Sequence, residues 1–140
     1  MRGIHFIGIL LCLLFLACDS ASPRRRAILA VTNRMTTLHP RYRSAGFGQF
    51  FEQTYPEEIA AAIDSKAPVK YSLVHSYYLG NVRHESVYFH LDNLFQVLGA
   101  LNMKEMMGMT LGLIDVDTLA RARKDSLASD DMIPHGTGNE

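Results

Sequence analysis

The stretch that most constrains this chain is Tyr71–Leu91, YSLVHSYYLGNVRHESVYFHL. Tyr71–Tyr78 and Val82–Leu91 are rich in Tyr, Val, Phe and Leu, the residues that fit a pleated, half-buried surface. Between them Leu79-Gly80-Asn81-Val82 offers a two-residue loop with Gly at its first central position, which suits a type II′ turn. An antiparallel hairpin bent there pairs Tyr77 with His84, His75 with Ser86, Leu73 with Tyr88 and Tyr71 with His90.

Side chains alternate across a strand, so these paired residues share one face of the ribbon. That face carries Tyr71, Leu73, His75 and Tyr77 beside His84, Ser86, Tyr88 and His90. The opposite face carries Val74, Val87, Phe89 and Leu91 among smaller or polar residues, and is expected to pack on helices. The His/Tyr face is expected to look outward. A slip of one residue would exchange the two faces.

The N-terminus has a different character. Arg2 is followed by the apolar run Phe6–Ala17, FIGILLCLLFLA. Twelve apolar residues are too few to span a bilayer and match the central region of a secretory signal peptide. The run ends Leu14-Phe15-Leu16-Ala17-Cys18, which resembles a bacterial lipoprotein signal peptide. The resemblance implies cleavage before Cys18, lipidation of that residue and a membrane-anchored product. An ordinary secretory signal cut near Cys18–Ala21 is the alternative. Arg24, Arg25 and Arg26 oppose translocation and keep an uncleaved anchor in view. Cys12 and Cys18 are the only cysteines, so the rest of the chain has neither a disulfide nor a thiol for catalysis.

The expected organisation is a signal peptide over 1–18, a linker over 19–25, one α+β domain over 26–128 and a flexible tail over 129–140. Ile28, Val31, Met35 and Leu38 predict a helix at about 26–38, stopped before Pro40. Gly46–Phe51 reads as loop passing into apolar structure, without the Lys-Ser/Thr of a phosphate loop. Thr54, Pro56 and Glu57 predict a capped helix over Tyr55–Lys66. Asp92 is expected to cap a buried helix containing Leu94, Phe95, Val97, Leu98 and Leu101. Asn102 with Glu105 caps Met103–Ile114, or one helix runs through both. Lys104 and Glu105 in the middle of 93–114 argue against a membrane span. Asp115 or Asp117 opens a last helix, Thr118–Leu127.

Formal charge is zero, which removes any global argument for nucleic acid. Charge is nevertheless uneven. Residues 20–51 hold six arginines and no acid, whereas the last 26 residues hold six acids and three bases. Beside a tethered N-terminus, Arg24, Arg25 and Arg26 are placed to lie on anionic headgroups.

Three kinds of chemistry are weighed on the hairpin. Tyr71, His75, Tyr77, His84 and Tyr88 form a patch with the composition of protein-binding surfaces, suited to a protein or an extended ligand. His75 and His84 are close enough in that register to share a divalent metal, with Met103, Met106, Met107 and Met109 as soft ligands nearby. His75 opposite Ser86 suggests a base and a nucleophile, but no orienting acid or oxyanion hole is visible. The reading is an exported, lipid-anchored or secreted α+β domain with its hairpin (about 69–91) packed on several helices. It binds without catalysis and without a cofactor. Metal handling and a small hydrolase are the alternatives.

Overall fold

The computed structural model describes residues 21–130. The leader, Cys18 and the residues beyond 130 lie outside them. Helix α1 (Pro23–Leu38) begins where Ser22 Oγ accepts the Arg25 N–H at 3.3 Å. Pro23 fills the first helical position, where its missing N–H costs nothing. The helix therefore starts inside the expected linker. It is followed by β1 (Tyr42–Glu52), α2 (Pro56–Ala62), β2 (Tyr71–Leu79), β3 (Val82–Leu91), β4 (Val97–Leu101), α3 (Met103–Thr110) and α4 (Val116–Asp130). The fold is α+β, with a four-stranded antiparallel sheet in the order β1-β2-β3-β4 and four helices among the described residues. None of these helices is long and apolar enough to cross a membrane.

The hairpin turns at Gly80, whose φ of 62° is the left-handed value a type II′ turn needs there. Next to the turn the pairing is the expected one: Leu79 with Val82, Tyr78 with Arg83, Tyr77 with His84. Beyond Tyr77 the register shifts by one residue. His75 faces Val87, Leu73 faces Phe89 and Tyr71 faces Leu91. The shift is a β-bulge in β3, where Ser86 takes φ 50° and donates its N–H to Ser76 Oγ at 3.0 Å.

The bulge has a packing cause. The more apolar face of β2 carries Leu73, His75 and Tyr77, and that of β3 carries Val87, Phe89 and Leu91. A strict two-residue turn would point these sets in opposite directions. One extra residue brings them to the same side, where they form a core with Ala27, Val31 and Met35 of α1. The expected outward face is thus corrected: His75 is 0% exposed and Tyr77 8%.

A second core lies on the other side of the sheet, at the β4 end. Ile59 and Ala62 of α2, Val69, Leu101 of β4 and Leu119 of α4 form it, with Met106 and Met109 of α3 packed alongside. Ile63 meets β4 at Gly99, where a Cβ would lie 3.0 Å from the Ile63 Cβ.

Three other expectations are corrected. Gly46–Phe51 is not loop but the middle of β1, an edge strand with two register shifts. The segment after Asp92 is not a helix. Asp92 Oδ1 accepts the N–H groups of Leu94 at 2.9 Å and Gln96 at 2.8 Å. It closes a tight turn with Phe95 at φ 64°, and Val97–Leu101 then adds to β3 as a strand. Helix α2 is shorter than Tyr55–Lys66, and its cap, Tyr55, makes no side-chain hydrogen bond. At α3 the expected cap is present, with Asn102 and Glu105 forming both arms of a capping box at 2.9 and 2.8 Å, although the helix ends at Thr110 and not at Ile114.

Candidate binding surface

His75 belongs to the core. Its Nδ1–H donates to the Gly46 carbonyl at 2.7 Å, because a carbonyl can only accept. Its Nε2 must then accept, and the Tyr42 hydroxyl donates to it at 2.7 Å. The ring is stacked on Phe47 at 4.0 Å. Burial lowers the affinity of His75 for a proton, and the same desolvation raises the proton affinities of the Tyr42 and Tyr77 hydroxyls. With both nitrogens engaged, His75 has no lone pair to offer a metal. His84 lies across the strand from Tyr77 and stacks on it at 4.9 Å. The expected His75/His84 metal pair is therefore not formed. No group of three or more His, Cys, Asp or Glu with metal-ligand geometry occurs among the described residues.

The His75/Ser86 pair is not formed either, since Ser86 sits in the bulge and His75 faces Val87. A different Ser/His contact exists. Ser72 Oγ lies 2.8 Å from His90 Nδ1, and the Gln53 amide donates to the same oxygen at 2.7 Å. Ser72 and His90 are both fully buried, so no substrate reaches them. His90 Nε2 has no hydrogen-bond partner, and neither has Arg123 Nε beside it. Desolvation, with the Arg123 charge as the smaller cause, pushes His90 down to about 4. The group is neutral and structural.

The expected five-residue patch is dispersed. Tyr71 stacks between Phe50 at 5.3 Å and Phe95 at 4.9 Å. Arg26 lies 4.4 Å over the other side of Phe95. His75 and Tyr77 are under α1. Tyr88 falls on the opposite face, across from Val74 and Leu101. Arg24 and Arg26 are likewise engaged: Arg24 donates to the Gly48 carbonyl at 3.2 Å while Arg26 covers Phe95. They hold the start of α1 on β1 and on the turn before β4, which leaves Arg25 as the one member of the run without such a contact.

A surface the sequence does not announce takes the place of that patch. The second core draws no buried residue from β1, β2 or β3, and near the turn that sheet face is open, with Arg43, Arg83 and Glu85 exposed and Ser76 and Tyr78 half-buried. Across it runs a row set by register, Arg43 beside Tyr78 beside Arg83. The two guanidinium carbons lie 5.0 and 5.7 Å from the Tyr78 ring centroid. Arg43 also reaches the Gly80 carbonyl at 3.4 Å, and Arg83 pairs with Glu85 at 2.8 Å. Both arginines are exposed. A phenol between two guanidinium groups presents a flat apolar body with donors on both sides, the chemistry that recognises carboxylate or phosphate groups. The sequence signal was the turn itself: once Tyr78 faces Arg83, only the unrecognised strand β1 is needed to bring in Arg43. Comparison with family models, with curated proteins and with solved structures finds no match to this chain, so its chemistry is read from this geometry alone.

Proposed function

We propose that this chain is an exported domain, held at a membrane through a lipid on Cys18, that binds an anionic protein partner or extended ligand without catalysis. The observation that carries the reading is the Arg43–Tyr78–Arg83 row on the open sheet face near the turn. The leader supports export, and the short span from Cys18 to α1 keeps the domain close to its anchor. Buried histidines with engaged or inaccessible nitrogens favour neither metal handling nor hydrolysis. Two measurements test it. Titration of the full chain with a short poly-glutamate peptide should shift the amide resonances of residues 43, 78 and 83 saturably, and an Arg43→Gln/Arg83→Gln variant should lose the response. No movement at those positions would end the surface reading. Cys18→Ser should release the protein from the membrane fraction, and retention there would end the lipid reading.

A further inference from the structure

A cleft of about 260 Å³ opens between α2 and α3, away from the arginine row. Ile59, Met106, Met109 and Val116 supply its apolar wall, and Gln53, Glu58 and Tyr55 its polar rim. Met106 and Met109 are the inward half of the methionine run, and their flexible thioethers adapt to a ligand's shape. No Lys, Arg or His lines the cleft.

The polar groups present are mainly acceptors. Gln53 spends one of its two amide N–H groups on Ser72 Oγ, which leaves its carbonyl oxygen to accept and one N–H to donate. Thr110 spends its hydroxyl hydrogen on the Met106 carbonyl at 2.9 Å. Glu58 is exposed and is within ion-pair distance of no cation among the described side chains. Its carboxylate is the only charged group of the lining. The Tyr55 ring, 59% exposed, stands at the mouth, where an aromatic face attracts a cation.

We propose that this cleft binds a small primary alkylammonium ion. The alkyl chain lies against Met106, Met109, Ile59 and Val116. The ammonium, a donor of three hydrogen bonds and acceptor of none, is held by Glu58 and the Gln53 carbonyl with Tyr55 beside it. An anion of the same length meets the Glu58 carboxylate, with no cation in the lining and only the neutral donors of Gln53 and Tyr55 to offset it. The site is independent of the arginine row.

The probe is n-butylammonium, titrated into the full chain with methionine methyl resonances as the readout. Saturable shifts confined to Met106 and Met109, with Met103 and Met107 unmoved, are expected. Butanoate should produce none. Glu58→Gln should weaken binding by about tenfold, the worth of one charge-assisted hydrogen bond. Glu57→Gln, on the same helical turn but outside the lining, should leave it unchanged and controls for the fold of α2. Absence of a saturable shift, equal binding of butanoate, or indifference to Glu58→Gln would each overturn the proposal.

Discussion

At the residue scale the buried histidines govern how the domain responds to acid. His90 takes a proton at about 4 when folded, against 6.5 for the unperturbed side chain. Between those values the unfolded chain binds the extra proton, so stability falls as pH falls. The contribution is complete above about pH 6.5 and lost progressively toward about pH 4, at roughly 1.4 kcal/mol per pH unit and on the order of 3 kcal/mol in all. His75, also lowered by burial, adds in the same direction. Urea unfolding at about pH 7 and about pH 5 should show the loss, and His90→Gln should flatten the slope whatever it does to stability at neutral pH. An unchanged slope in that variant would mean that His90 is protonated when folded. Tyr42→Phe tests the other histidine. It removes the donor to His75 Nε2 and leaves a buried acceptor unmatched, at about 1–3 kcal/mol by urea unfolding. Neither role could be read from the sequence, because a histidine placed on a ribbon face is an outward group or a core group according to which face is covered.

At the element scale the hairpin turn was legible and the rest of its register was not. Gly80-Asn81 fixes three residue pairs, and local chemistry ends there. The bulge answers a conflict that the sequence does contain: an uninterrupted ladder sets Leu73, His75 and Tyr77 against Tyr88, Ser86 and His84, and strands Val87, Phe89 and Leu91 on the other side. Tertiary burial outweighs one irregular residue, since each buried Val, Leu or Phe side chain is worth about 1.5–3 kcal/mol. The same override hides β1 and β4. Gly46 and Gly48 weaken the strand signal of β1. Leu94, Phe95, Val97, Leu98 and Leu101 have a helical look, yet Gly99 in their midst disfavours a helix and permits the close approach of Ile63. Because Ser86 sits at φ 50°, Ser86→Gly should stabilise the domain by about 0.5–1 kcal/mol. Ser86→Val, β-branched in the left-handed region, should destabilise it by more than about 1 kcal/mol. Urea midpoints of the two variants give the order, and the reverse order would place the bulge elsewhere.

At the scale of the whole molecule a formal charge of zero conceals a separation of charge. Among the described residues, Arg24, Arg25, Arg26, Arg34, Arg41 and Arg43 are within ion-pair distance of no carboxylate. The ion pairs lie elsewhere: Lys70 with Glu52, Arg83 with Glu85, Arg123 with Glu105 at 3.1 Å and Lys124 with Asp64 at 3.4 Å. Among the described residues, acids other than Glu85 and the turn-capping Asp92 lie on or within two residues of α2, α3 and α4, or at the end of β1. A surface so divided produces a directed field even without net charge, and exposed charges feel it over about 30 Å at about 0.01 M salt but only about 3 Å at about 1 M. The full chain should therefore be retained on a cation-exchange matrix at neutral pH and low salt, where a chain of zero net charge with evenly mixed ions would pass through. Arg41→Gln, Arg43→Gln and Arg83→Gln together should abolish retention, because they empty the end of the sheet where the cations face outward together. Arg24→Gln and Arg26→Gln should reduce retention less and lower stability more, since those side chains, though exposed, hold α1 on the Gly48 carbonyl and the Phe95 ring. If the two sets of substitutions acted alike on both readouts, the division between clamping and surface-facing arginines would be wrong, and the row around Tyr78 would lose its claim to be the face that meets a partner.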